Sequence, residues 1–206
     1  MMQQTTPTTS ETGGQIQHGR SGALKPVEAE PGTLVHSNAD RQLAVEQWLL
    51  ATHRAPDRAR MEWQVAKVAL LPLGTLMSAV RIPAHMVVAV AGSEEPEALD
   101  AFLDEALDSG PVICDPGGRR YYALVPGTMP ERWRDAAEEW RALGVDCLGR
   151  DTYLGVPTVW EVGFDPQTMA SYWSVPMPSA GELCAPLAVA RLIAAGQGRL
   201  AERAEA

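Results

Sequence analysis

Asp115-Pro116-Gly117-Gly118 separates two short apolar runs, Pro111 to Cys114 and Arg120 to Val125, and this arrangement restricts the fold more than any other in the chain. Asp, Pro and Gly together specify a turn, so the two runs are expected to pair as an antiparallel hairpin. The surrounding segments alternate irregularly between strand-like and helix-like patterns. Thr75 to Ile82 reads as a strand closed by Pro83, and Val68 to Gly74 as a shorter apolar run. Cys147-Leu148 and Tyr153 to Val156 are further strand candidates. The expected architecture is therefore α/β (α+β): a mixed, partly antiparallel sheet with helices packed on it.

The helices follow from spacing and caps. Ser37-Asn38 can cap a helix whose apolar face is Ala44, Val45, Trp48 and Leu49, interrupted by Pro56-Asp57. A second is expected from Asp57 through Met61 and Val65, and a short buried one over Ala84 to Ala91. Ser93 opens another, with acids in its first turn and Leu99, Phe102, Leu103, Ala106 and Leu107 on one face, terminated by Gly110. Thr128 and Pro130 begin a helix carrying Trp133, Ala136, Ala137 and Trp140, with Gly144 placed for its left-handed cap. The last runs from Glu182 to Ala195, presents Leu183, Leu187, Ala190 and Ala194, and ends before Gly196.

Residues 1–37 combine Thr, Gly, Pro and Gln with few large apolar side chains, too little to offset the entropy of ordering, and read as a disordered tail. The expected division is that tail, a single α/β domain over 38–196, and a flexible end over 197–206. Met1 to Gly22 carries neither a basic n-region nor an apolar h-region, and no segment approaches the roughly 18 apolar residues of a membrane span, so neither secretion nor membrane insertion is expected. Cys114, Cys147 and Cys184 lie far apart without metal-ligand spacing, and His18, His36, His53 and His85 lie outside any such pattern. No cofactor or metal site is therefore expected, and the odd cysteine count fits a reducing cytoplasm.

With 26 acidic and 17 basic residues, the net charge of −9 repels polyanions. Two of the bases are Lys, so the arginine bias is compositional rather than a sign of phosphate recognition. No GxGxxG or GxxxxGK[ST] segment occurs. Arg81 is the exception worth following, because its strand is otherwise apolar. It is either exposed on an open sheet face or, if both faces are covered, paired with a carboxylate or a bound anion. Asp115 suits a catalytic carboxylate as well as a turn. Gly117-Gly118 with Arg119-Arg120 suits a small anion-binding loop. A nucleophilic cysteine would need a base beside it, and no histidine follows His85 to serve Cys184 in the first turn of the last helix. Trp160, Tyr172 and Trp173 fall in loop-like segments, where they either form an aromatic contact surface or pin the chain to the core.

Taken in order, GTLMSAVRIPA (Gly74 to Ala84), GPV (Gly110 to Val112), GRRYYALVPG (Gly118 to Gly127), the stretch from Leu148-Gly149 through Tyr153-Leu-Gly-Val-Pro157, and Trp173-Ser-Val-Pro176 with the closing Leu183 to Leu192 helix resemble the N-terminal primase-polymerase (Prim-Pol) domain of actinobacterial proteins. They are also similar to a group of streptomycete proteins in which the same blocks recur. The resemblance covers residues 65 to 195. It implies a Prim-Pol-like fold and a link to plasmid or chromosome biology. In that family the strand matching Met77 to Pro83 carries paired aspartates that hold divalent ions. Here the corresponding places fall on Ser78 and Arg81, which cannot bind magnesium, and this argues against primase or polymerase activity.

The expectation is a non-catalytic binding or regulatory protein. Its ligand-binding residues would be Ser78, Arg81, Asp115, Arg119 and Arg120, and its partner a protein or an anionic small molecule such as a nucleotide. The rival readings are a nucleic-acid-processing accessory or primase-related enzyme, and an enzyme built around Cys114-Asp115.

Overall fold

The computed structural model describes residues 27–30, 33–35 and 37–205. Most of the segment read as a disordered tail therefore lies outside the described residues. Within it, β1 (Val27–Glu30) and β2 (Thr33–Val35) pair antiparallel.

Helix α1 (Asn38–Leu50) starts where its cap predicts. The Ser37 hydroxyl accepts the Asp40 N–H at 3.2 Å, and the Asp40 carboxylate accepts the Ser37 N–H at 3.1 Å. Pro56, read as an interruption, becomes the first residue of α2 (Pro56–Ala66), the one helical position where a missing N–H costs nothing. The buried face of α2 is Ala59 and Trp63, whereas Met61 and Val65 are exposed. Met61 and Val65 mark the helical stretch, and Trp63, which falls at core spacing in the sequence, takes the inward face, where its indole N–H also donates to the Val156 carbonyl at 2.8 Å.

The chain continues through β3 (Val68–Pro72), β4 (Met77–Pro83), α3 (Ala84–Ala91), α4 (Pro96–Ala106), β5 (Val112–Asp115), β6 (Arg120–Pro126), α5 (Met129–Arg132), α6 (Arg134–Arg141), β7 (Asp146–Leu148), β8 (Tyr153–Pro157), β9 (Tyr172–Val175) and α7 (Pro186–Glu205). Ser93 precedes α4 by three residues, its hydroxyl accepting the Glu95 N–H. Asp108 and Ser109, rather than Gly110, take the left-handed turn after that helix.

The closing helix departs most from expectation. It runs through Gly196 to Glu205, so the end read as flexible forms its last turns. Its inward face is Val189, Leu192, Ile193 and Gly196, not Leu187 and Ala194. Gly196 permits close approach rather than termination: a Cβ there would lie 2.2 Å from Met86 Cγ on α3. Among the described residues, no helix is long and apolar enough to cross a membrane.

Five strands form one sheet in the order β7-β4-β6-β5-β9, with every pairing antiparallel, and β3 and β8 form a separate antiparallel ribbon. One face of the sheet, including Val80, Ile82, Tyr121, Ala123 and Cys114, packs against Met86 and Val87 of α3, Leu99 and Leu103 of α4, and Leu192 and Ile193 of α7. The other face, including Met77, Ala79, Leu124, Ile113 and Trp173, packs with the ribbon, α1 and α2. Cross-strand register aligns Asp146, Arg81, Tyr122, Ile113 and Trp173 in one row on this second face. The row passes from half-exposed charge at the β7 edge to fully buried apolar side chains at β9.

Candidate functional site

Ser78 and Arg81 are three residues apart on β4, so strand alternation sends them to opposite faces. They do not share the cleft expected for them. Ser78 is fully buried, and its hydroxyl donates to the Gly127 carbonyl at 3.1 Å, tying β4 to the loop after β6. Arg81 lies directly opposite Asp146 of β7, and the two form an ion pair with side chains 31 % and 33 % exposed. Of the two possibilities open in the sequence, pairing with a carboxylate is the one realised. The partner is supplied by an edge strand that sequence pattern alone does not place beside β4.

Asp115, Arg119 and Arg120 do come together, at the β5–β6 turn. Asp115 Oδ1 accepts the Gly118 N–H at 2.9 Å, so the carboxylate serves the turn. Arg119 sits in the left-handed region at φ +53°, held by its carbonyl accepting the Ala84 N–H at 2.9 Å and its own N–H donating to Pro116 at 3.2 Å. The three residues line an open cavity of about 130 Å³ together with Glu94, Cys114, Tyr121 and Tyr172.

Beside this cavity, α4 contributes Asp100, a residue that the sequence pattern did not single out. The Tyr172 hydroxyl donates to Asp100 Oδ1 at 3.2 Å, and the Ser174 hydroxyl bonds the same oxygen. Burial raises the Asp100 carboxyl above its ordinary value, against the opposing effect of the two hydroxyl donors, while the neighbouring Glu97 charge adds to the rise. The folded protein thus holds this proton to higher pH than the unfolded chain does. Stability contributed by protonated Asp100 is present below the unfolded value, near 3.9, and is lost as pH rises through the raised folded value. Asp100→Asn keeps an Oδ1 acceptor and removes the titration. The melting temperature of the wild type is expected to fall relative to the variant as pH rises from below the unfolded carboxylate value, near 3.9, through the raised folded one; parallel curves would refute this.

The cysteines are poor nucleophiles. Burial pushes the Cys114 and Cys147 thiols up to about 11 and that of Cys184 to about 12, so all three are protonated at neutral pH. Cys184 lies before α7 rather than in its first turn, its N–H donating to the Leu124 carbonyl at 2.8 Å.

The expected aromatic contact surface does not form. Tyr172 and Trp173 belong to β9, 3 % and 2 % exposed, and point to opposite faces of the sheet. The Trp173 indole N–H donates to the Thr158 carbonyl at 3.1 Å. Only Trp160 of the three is exposed. The prolines flanking β9 made a paired strand read as loop.

A larger cleft, of about 900 Å³, lies at the opposite end of the sheet, where sequence reading had marked no site. Loops after α1, β3, β6 and β7 converge on it. Two glycines allow their backbones to touch: a Cβ on Gly74, at φ +89°, would lie 2.4 Å from Arg150 N, and one on Gly127 would lie 2.3 Å from the Thr75 oxygen. His53, Arg54 and Arg150 line the cleft with the acids Glu131 and Asp151. Arg150 Nε pairs with Glu131 at 3.3 Å, and among the described residues Arg54 makes no ion pair. His53 Nδ1 accepts the Ala55 N–H at 3.0 Å, which fixes the ring. Tyr153, 63 % exposed, stands at the rim opposite Pro72. Thr75 and Thr128 add hydroxyls to the lining.

Among the described residues, no group of three or more His, Cys, Asp or Glu side chains is gathered as metal ligands. No family model, curated protein or solved structure matches the chain.

Proposed function

We propose that the chain is a non-catalytic, Prim-Pol-like binding or regulatory protein whose anionic small-molecule ligand, a nucleotide, occupies the loop-end cleft. The observation that carries this reading is the fixed convergence of four loops, through glycine-permitted backbone contacts, around a polar cleft lined by Arg54 and Arg150. Its volume suits a nucleotide-sized ligand. The exposed Tyr153 ring offers a stacking face for a base, and the arginines and threonine hydroxyls suit phosphate oxygens. The net charge of −9 favours a small anion over duplex DNA. The roles of Ser78 and Arg81 are in keeping with a loss of metal chemistry: one bonds a loop carbonyl and the other neutralises Asp146.

The test is a thermal-shift and calorimetric titration with ATP, inorganic triphosphate and adenosine. ATP is expected to raise the melting temperature by mass action. Arg54→Ala with Arg150→Ala should weaken ATP about ten- to hundredfold, as loss of charge-assisted bonds implies. Tyr153→Ala should weaken ATP while leaving triphosphate unchanged. Absence of binding by both ATP and triphosphate would sink the proposal.

A further inference from the structure

The charges lining the loop-end cleft balance. Arg54 and Arg150 stand with Glu131 and Asp151, and the other ionisable side chains of the lining are His53 and Tyr153. Such a lining attracts anions little at long range, so discrimination among ligands rests on the exchange of partners at individual side chains.

Glu131 and Arg150 are placed for such an exchange. Glu131 lies in the short helix α5 that follows Thr128, with Oε1 3.3 Å from Arg150 Nε, and both side chains are exposed, Arg150 at 76 % and Glu131 at 57 %. Among the described residues the two form an ion pair only, whereas Arg58 with Glu62 and Arg60 with Asp57 are hydrogen-bonded as well. The donor fork of the Arg150 guanidinium is thus left open to a ligand. Its backbone is held, because Gly74 packs directly against Arg150 N and Cα, and the side chain can trade one anion for another without a shift of the loop.

Charge decides which trade is favourable. A ligand carboxylate that takes Arg150 from Glu131 replaces one singly charged acceptor with another and gains nothing there. A phosphate brings a charge of about −1.5 to −2 and three strong acceptor oxygens, two of which match the guanidinium fork. Giving up an exposed ion pair costs the protein little.

We infer that Glu131 is the specificity-determining residue of this cleft: by pairing with Arg150 it disfavours carboxylate ligands and admits phosphorylated ones. This role rests on the reading of the cleft as a nucleotide site, and it narrows the ligand class there to phosphate esters and anhydrides.

The test is a calorimetric titration of the full chain and of Glu131→Gln with ATP, inorganic triphosphate and citrate. The wild type should bind triphosphate more tightly than citrate. In Glu131→Gln, citrate should tighten about three- to fivefold, the worth of an exposed ion pair, and triphosphate less, so that the preference narrows. Simple repulsion predicts the reverse, since removing a nearby negative charge helps the more highly charged triphosphate most and widens the preference. In an Arg150→Ala background, Glu131→Gln should no longer narrow it. Glu138→Gln, whose carboxylate pairs with Arg141 outside the cleft, should change neither affinity, and unfolding curves establish that the variants remain folded. A preference that fails to narrow in Glu131→Gln, citrate that still does not bind included, overturns the role of Glu131 and leaves the nucleotide reading standing. Citrate binding the wild type as tightly as triphosphate, or ATP binding without triphosphate binding, does the same. If neither ATP nor triphosphate binds the wild type, the role and the nucleotide reading fall together.

Discussion

Replacing Trp173 by alanine is expected to destabilise the protein by about 3–5 kcal/mol, a large part of the roughly 5–15 kcal/mol that a domain has in hand. The ring is 2 % exposed and packs in the cluster formed by the second face of the sheet, the ribbon and α1. The loss would combine apolar burial, a cavity and stranded polar groups. The indole N–H donates at 3.1 Å to the Thr158 carbonyl and at 3.3 Å to that of Pro157, and both would lose that donor. Trp173→Phe separates these effects, since it keeps most of the ring and removes only the donor, and should cost about 1–3 kcal/mol. Urea denaturation reads both, as a shift in midpoint at constant slope. A loss under about 1 kcal/mol for the alanine variant would mean the site collapses around the gap.

Gly74→Val is expected to cost at least about 3 kcal/mol and to abolish binding in the loop-end cleft. Two effects add at this position. A β-branched residue at φ +89° is strained wherever it is placed, and here its Cβ would also fall 2.4 Å from Arg150 N and 2.6 Å from Arg150 Cα. The neighbour is backbone, so the Arg150 loop must shift, carrying with it a side chain that lines the cleft. Gly92 provides the control: it has φ +72° but nothing within 4 Å of its Cβ position, so Gly92→Val carries the conformational cost alone. Thermal unfolding should place Gly74→Val well below Gly92→Val, and an ATP titration below the melting temperature should show loss of binding in the first variant alone. Equal melting temperatures would mean the loop contact gives way freely.

How much of this was legible beforehand depended on whether the relevant physics is local. The β5–β6 hairpin, the Ser37 cap and the extent of α3 are set by neighbouring residues, and sequence reading placed them correctly. Phase was harder than period. In α7, apolar residues occur on more than one side, and only tertiary packing decides that Val189 faces inward while Leu187 faces water. Tyr172-Trp173 failed because proline punctuation outweighed a four-residue strand that exists through pairing with β5 and a bridge from Trp173 to Val162.

The site divided similarly. Asp115, Arg119 and Arg120 are adjacent across one turn and stayed together, joined by Tyr172. Ser78 and Arg81 were assigned to a common cleft by resemblance, although a spacing of three in a strand separates them. The loop-end cleft was illegible because its residues come from four distant connections, each of which reads alone as ordinary punctuation.

The pairing of β3 with β8, in which Val68 lies opposite Pro157, has a consequence for how the molecule assembles. The strands of that ribbon are separated in sequence by nearly the whole five-stranded sheet, so closing them early would incur a larger loop entropy than the shorter closures do, with no contacts yet formed to offset it. The β5–β6 hairpin and its pairing with β4 involve much shorter closures. The ribbon is thus expected to close after the hairpin and its pairing with β4. Since the cleft is walled by the loops flanking β3 and β8, binding competence should be among the last properties the chain acquires and among the first it loses on partial unfolding.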